Sequence, residues 1–289
     1  MPIKESELIL NPHGSIYHLN LRPEHVAQTI ILVGDQDRVK RVSSHFDAIE
    51  FKTQKREFKT HTGTYKGKRI SVISTGIGPD NIDIVLNELD ALVNIDFISR
   101  KVKKQLTSLN IIRIGTSGSL QKNIPVDSFL ASQFALDLNG LLHAYQIHSI
   151  SNPDIEQAFI KHTNWSKAKS QPIVVDCSKK LFNKFKNREI HNGLTATAGG
   201  FYGPQGRVLR LEIQDADLNS NIDSFHYNNI KVTNLEMETS AIYGLAKLLG
   251  HEAISLNAII ANRPNGTFSK TPKQTVDDLI TFTLKKLVE

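Results

Sequence analysis

The sequence predicts an α/β fold, a three-layer sandwich in which a central mixed sheet is flanked by helices. Three features lead there. Short, almost wholly apolar runs suit strands covered on both faces. Apolar stripes at helical spacing lie between them. Each strand run stops in small or polar residues, and in such folds the chemistry gathers beyond the strand ends.

The first strand is Thr29-Ile30-Ile31-Leu32-Val33, followed at once by Gly34-Asp35, and residues 37–46 read as a short helix. Residues 69–74 form a second strand, entered from a Lys66-Gly67 turn and closed by Gly76-Ile77-Gly78-Pro79. Asp80 or Asn81 then caps a helix that carries Ile82, Val85, Leu86, Leu89 and Leu92 on one stripe. A third strand, 110–114, runs into Gly115-Thr116-Ser117-Gly118. Further strands are expected at 193–198, 231–237 and 253–260. A helix over 239–249 ends at Gly250, as a helix C-terminus should, and an amphipathic helix over 273–288 closes the chain. With no internal repeat, low-complexity tract or linker, residues 1–289 read as one domain. The least regular stretches, 97–107 and 138–170, read as surface insertions.

Composition narrows the function classes. Hydrophobic residues make up 39% and charged residues 22%, ordinary proportions for a globular chain. No apolar run reaches the roughly 18 residues a membrane span needs, so no membrane partner is expected. The start lacks a secretory pattern, and the single cysteine, Cys177, has no internal partner, which points to the cytoplasm. A net charge of +6 suits either a nucleic-acid surface or pockets that hold small anions. The densest basic run, residues 100–104, reads as a solvated face, and no nucleic-acid motif accompanies it, so no nucleic-acid partner is expected. The 11 histidines show neither HExxH nor paired metal spacing, so no metal is assigned. Gly115-Thr116-Ser117-Gly118 lacks the G-x-S-x-G of an esterase elbow.

What stands out is arginine beside strand-end glycine. Gly34-Asp35-Gln36-Asp37-Arg38 brings together a flexible backbone, free helix-start N–H groups and a guanidinium, a combination that suits an anion. Arg113-Ile114-Gly115-Thr116 repeats the arrangement with a hydroxyl. Each also has a purely structural reading: Asp35 as a helix cap, and Arg113 as the partner of a carboxylate.

Five segments occur in order: Gly34 to Arg38, Arg56-Glu57-Phe58, Ser74 to Gly78, Arg113 to Gly118 and Glu236-Met237-Glu238. Together, from about His18 to the C-terminus, they resemble the nucleoside phosphorylase family, whose branches cleave uridine or purine nucleosides. Phe201-Tyr202-Gly203-Pro204-Gln205-Gly206-Arg207 is similar to the uracil-binding F-Y-x-x-Q-x-R of the uridine branch. The resemblance implies a phosphate site of Gly34, Arg38, Arg113 and Thr116, with Arg56 reaching over from a neighbouring subunit. It implies a ribose site of Glu236, Met237 and Glu238, with His18 reaching a neighbour's ribose 5′-hydroxyl. It places the base against Phe201, Gln205, Arg207 and Arg263.

The implied activity is reversible phosphorolysis of uridine, and of deoxyuridine as a further candidate, to uracil and ribose 1-phosphate, catalysed by Arg113, Thr116, Glu238 and Arg207. Purine enzymes of the family place an aspartate after the last core strand, where this chain reads Ala261-Asn262-Arg263-Pro264. No cofactor is implied; phosphate is a co-substrate. Some relatives hold a monovalent cation between subunits, using the region after Gly78 and the residue equivalent to Glu57, but the direct step here from Gly78 to Pro79-Asp80 departs from their pattern. A homo-oligomer follows, a dimer or a trimer of dimers, if His18 and Arg56 act across an interface. The competing readings are a purine nucleoside phosphorylase, a hydrolytic nucleosidase of the same fold, and a non-catalytic nucleoside-binding protein.

Overall fold

The computed structural model describes residues 1–289. Strand β1 (Thr29–Val33) leads into helix α1 (Gln36–Ser43), then the meander β2 (Ala48–Lys55), β3 (Phe58–Tyr65) and β4 (Lys68–Ser74). Helix α2 (Pro79–Asn94) is followed by a small hairpin, β5 (Ile95–Asp96) and β6 (Lys101–Val102). Next come β7 (Asn110–Ser119), β8 (Phe129–Asp137), α3 (Pro153–Thr163), β9 (Ile173–Asp176), α4 (Lys179–Phe185) and β10 (Ile190–Thr197). The last third holds α5 (Leu218–Asp223), β11 (His226–Tyr227), β12 (Ile230–Glu236), α6 (Thr239–Leu248), β13 (Glu252–Asn262), β14 (Thr267–Phe268) and α7 (Pro272–Val288).

The main sheet runs β11-β12-β10-β8-β13-β7-β1-β4-β3-β2 and is mixed. Strand β1 is parallel to β4 and β7, and β7 to β13, while β2, β3 and β4 pair antiparallel. Helix α2 packs on α6, and α1 is tied to α7 by an Arg41–Asp277 ion pair, so helices cover the sheet as expected. One half of the sheet also closes on itself. The end of β7 bends across to pair antiparallel with β12, Gly118 with Leu235 and Ser119 with Asn234, completing the ring β7-β12-β10-β8-β13. The strand expected over 110–114 therefore continues through residues 115–119.

Two further expectations change. Neither Asp80 nor Asn81 caps α2: the N-cap is Gly78, with Pro79 in the first turn. Proline tolerates that position because its missing N–H would have no helical partner, and Gly78 takes φ +101°, which a side chain would oppose. Residues 138–170 are not simply a surface insertion either. They contain α3, which buries Ile155 and Phe159 in a second apolar cluster with Leu136, Leu194 and Phe225. Residues 97–107 do sit at the surface, with Ile98, Val102 and Leu106 exposed. No helix is long and apolar enough to cross a membrane.

Candidate active site

A cavity of about 280 Å³ opens at the carboxyl ends of β1, β7 and β12. It gathers ten of the residues singled out in the sequence: Gly34 just after β1 and Arg38 from the first turn of α1, Arg113 and Thr116 from within β7, Glu236, Met237 and Glu238 from the end of β12, and Phe201, Gln205 and Arg207 from the segment after β10. A larger neighbouring cavity of about 740 Å³ shares only Arg207 with it, and its wall mixes apolar side chains such as Leu138, Trp165, Leu209 and Leu211 with charged ones such as Lys169 and Asp215. It holds none of the strand-end arginines or glutamates, so the smaller cavity is the candidate site.

Arg113 is only 6% exposed. The β7–β13 register sets Arg113 beside Ser255 and Gly115 beside Asn257. Residues two apart share a strand face, so both β13 side chains meet the same guanidinium: Nη1 donates to Asn257 Oδ1 at 3.1 Å and Ser255 Oγ at 3.4 Å. The guanidinium lies across Gly115, where a Cβ would fall 1.8 Å from Nη1. Only glycine leaves it that space. Nη2 faces two carboxylates, Glu238 Oε2 at 2.5 Å and Glu236 Oε2 at 3.2 Å. Burial alone would lower the Arg113 pKa, but the two glutamates more than offset it and the pKa is raised.

Arg38 shows the opposite balance. Its Nη1 donates to Ile114 O at 3.1 Å, while its Nε is buried without a partner. Burial first, then the nearby Arg113 charge, pulls its pKa down to about 10. An unpartnered buried N–H beside a second guanidinium is costly unless an anion completes it. Asp35, which also lines the cavity, caps α1 by accepting from the Asp37 N–H at 2.9 Å. Its capping and lining positions coexist.

The two glutamates differ in spare capacity. Glu238 accepts from Arg113 and from the Gly78 N–H at 2.8 Å. Glu236 accepts from Thr197 Oγ1, the Glu238 and Thr239 N–H groups and Arg113. A carboxylate offers about four acceptor positions, so Glu238 retains room for sugar hydroxyls and Glu236 is saturated. Burial holds the Glu238 carboxyl above the ordinary range although Arg113 pulls the other way, and the Glu236 charge adds to the rise.

The end of the cavity lined by residues 201–207 is built on irregular backbone. Gln205, 2% exposed, ends a single 3₁₀ turn, Gly203–Gln205. Arg207 Nη1 donates to Gln205 Oε1 at 2.5 Å and Phe201 O at 2.7 Å, and its guanidinium stacks 3.8 Å above the Phe201 ring. Arg263 does not line the cavity; it braces the wall by donating to Gln205 O at 2.7 Å and Asn219 Oδ1 at 2.8 Å. Burial lowers the Arg207 pKa, and burial followed by the Arg207 charge lowers that of Arg263 to about 10.

His18 and Arg56 also lie outside the cavity of their own chain. The His18 Nδ1 sits 2.7 Å from Glu88 Oε1, and Arg56 is exposed at the β2–β3 turn. The wall further includes Ile77, from the Ser74–Gly78 segment singled out in the sequence, and Phe268, and Arg113 is held by Asn257 and Ser255; the last three carried no sequence signal.

Residues 28–288 match the family described as the Phosphorylase superfamily. Over 283 residues the chain is 29% identical to a uridine phosphorylase of Thermococcus kodakarensis, covering 96% of this chain and 88% of that one. Over 274 residues it is 26% identical to a DeoD-type purine nucleoside phosphorylase of Colwellia psychrerythraea, covering 94% of this chain and 98% of that one. A solved nucleoside phosphorylase of Trypanosoma brucei, described as showing uridine phosphorylase activity, superposes with a TM-score of 0.87 at 27% identity, covering 98% of this chain and 99% of that one. The family match takes in both strand-end arginines, both glutamates and the whole base segment, and the chain belongs to the phosphorylase superfamily.

Proposed function

We propose that this nucleoside phosphorylase-type enzyme acts on uridine, converting uridine and phosphate reversibly to uracil and ribose 1-phosphate, with deoxyuridine as a second substrate. The observation that carries the choice of base is the buried Gln205 amide, flanked by Arg207 and braced by Arg263, with Asn262 and not an acid after the last core strand. An amide offers both donor and acceptor to a uracil edge. Arg207 stabilises the charge that collects on the pyrimidine oxygen as the glycosidic bond breaks, and Phe201 supplies a ring surface.

Arg38, Arg113, Gly34 and Thr116 hold phosphate in place of its water and aim one oxygen at the anomeric carbon. That oxygen forms the new C–O bond as the pyrimidine nitrogen leaves with the bonding electrons, inverting the carbon. Glu238 binds the ribose hydroxyls and balances the oxocarbenium-like charge, and Met237 packs under the sugar. His18 and Arg56, being outside their own cavity, are assigned to that of a neighbouring copy in a homo-oligomer, a dimer or a trimer of dimers.

Relatives of both uridine and purine type make the substrate test decisive. Purified protein is assayed with uridine, deoxyuridine and inosine, each with and without phosphate. Phosphate-dependent release of uracil with little release of hypoxanthine is expected. Preference for inosine would reassign the base, and equal rates without phosphate would make the enzyme a hydrolase.

A further inference from the structure

Three side chains stand in register at the ends of adjacent parallel strands: Asp137 on β8, Thr197 on β10 and Glu236 on β12. All three are buried, although Glu236 also reaches the cavity. Thr197 is fully buried, and neither it nor Asp137 lines the cavity. The Thr197 hydroxyl donates to Glu236 Oε1 at 2.6 Å and accepts the Ser240 N–H at 3.0 Å. Ser240 Oγ in turn donates to Asp137 Oδ1 at 3.2 Å, which also accepts the Asn139 N–H at 3.1 Å. Glu236 completes the chain by facing Arg113 Nη2 at 3.2 Å.

This chain also absorbs the free donors at the start of α6. The Glu238 and Thr239 N–H groups go to Glu236, and the Ser240 N–H goes to Thr197. Helix-start donors that would otherwise favour an anion in the cavity are turned inward to hold one carboxylate still. Glu236 thereby has no acceptor position left for a sugar hydroxyl, and its remaining task is to set the Arg113 guanidinium.

We propose that Thr197 is a positioning residue for phosphate, acting through Glu236 on Arg113, and that Ser240 and Asp137 anchor it from behind. The inference rests on the reading that Arg113 holds phosphate. Removing the Thr197 hydroxyl deprives Glu236 of its shortest donor and leaves the Ser240 N–H buried without an acceptor. The freed carboxylate then turns toward Arg113 and draws the guanidinium from the cavity. Base recognition, built on the separate 201–207 segment, is untouched.

The test compares Thr197→Val, which keeps the shape, with Thr197→Ser, which keeps the hydroxyl. Hydrogen bonds to charged groups imply a phosphate KM raised roughly 10- to 100-fold in the valine variant. The uridine KM should rise far less, since the base segment is separate and only the contacts of Glu238 link the two sites, and serine should restore phosphate binding. Thr197→Ala serves in place of valine if that variant does not fold. An unchanged phosphate KM, a parallel rise in both KM values, or a serine variant as impaired as valine would overturn the proposal. Arg113→Ala is run alongside. If it saturates with phosphate like the parent, the reading of Arg113 fails and takes the inference with it; if only it loses phosphate, the role of Thr197 alone is refuted.

Discussion

At one end of the cavity Arg113 meets two carboxylates and two neutral acceptors inside the strand core, with Arg38 close by. At the other end Arg207 and Arg263 meet backbone carbonyls, side-chain amides and a phenyl ring, but no carboxylate. In formal charge the strand end sets two guanidiniums against the three carboxylates of Asp35, Glu236 and Glu238, and the end formed by residues 201–207 carries two uncompensated positive charges, Arg207 and Arg263. The difference suits the two proposed ligands. Phosphate arrives already charged and needs rigid, preset donors. Uracil arrives neutral and becomes anionic only as its bond breaks, so surplus positive charge there acts mainly in the transition state. A neighbouring copy's Arg56 would add a third guanidinium to the strand end and so match its three carboxylates, which fits the proposed oligomer.

The largest expected effect breaks the rigid end. Arg113→Ala should lower kcat/KM at limiting phosphate roughly 100- to 1,000-fold, the usual cost of losing one preset charge-stabilising donor. It also strands two buried carboxylates, so unfolding by denaturant should show a loss of about 3–5 kcal/mol. Activity loss with unchanged stability would contradict the ion-pair network.

A subtler break leaves the arginine but moves it. Gly115→Ala puts a Cβ where Nη1 now lies, and a displacement of that order can cost roughly 100-fold in turnover. Steady-state kinetics showing parent-like phosphate saturation would mean that the guanidinium position is unimportant.

At the adaptable end a smaller and more selective loss is expected. Gln205→Ala should raise the uridine KM roughly tenfold and leave the phosphate KM unchanged. Equal losses for both ligands would remove the division between the two ends.

The smallest effect is on pH dependence. Arg38 and Arg263 both sit at about 10, so each keeps its charge below that pH and loses it as pH rises through it. Bound phosphate favours protonated Arg38, so saturating phosphate should shift its part of the alkaline decline upward. The part due to Arg263 should stay near 10. An alkaline limb wholly insensitive to phosphate would place Arg38 outside the anion site.

The strand-end half of this site was legible in the sequence because its chemistry is local. An apolar run followed at once by glycine and arginine, as in residues 29–38, declares a covered strand and what waits at its tip. Its supports were not legible. Asn257 and Ser255 reach Arg113 only through the register of β13 against β7, and Thr197 reaches Glu236 only through that of β10 against β12. Spacing along one chain cannot show which residues become neighbours across strands. The meander β2 and β3 escaped notice because its outer strand is largely exposed and lacks a continuous apolar run. The closing of the sheet was hidden as well, since nothing in Gly118 and Ser119 themselves shows their pairing with β12.

The proposed phosphate site requires Arg38 and Arg113 to share one anion. The most direct measurement is a crystal structure of the protein soaked with uridine and sulfate. It should show a single sulfate with oxygens within hydrogen-bond distance of Arg38 Nε and the Arg113 guanidinium, facing the anomeric carbon. A sulfate held by only one of them, or uridine bound with that space filled by water, would contradict it.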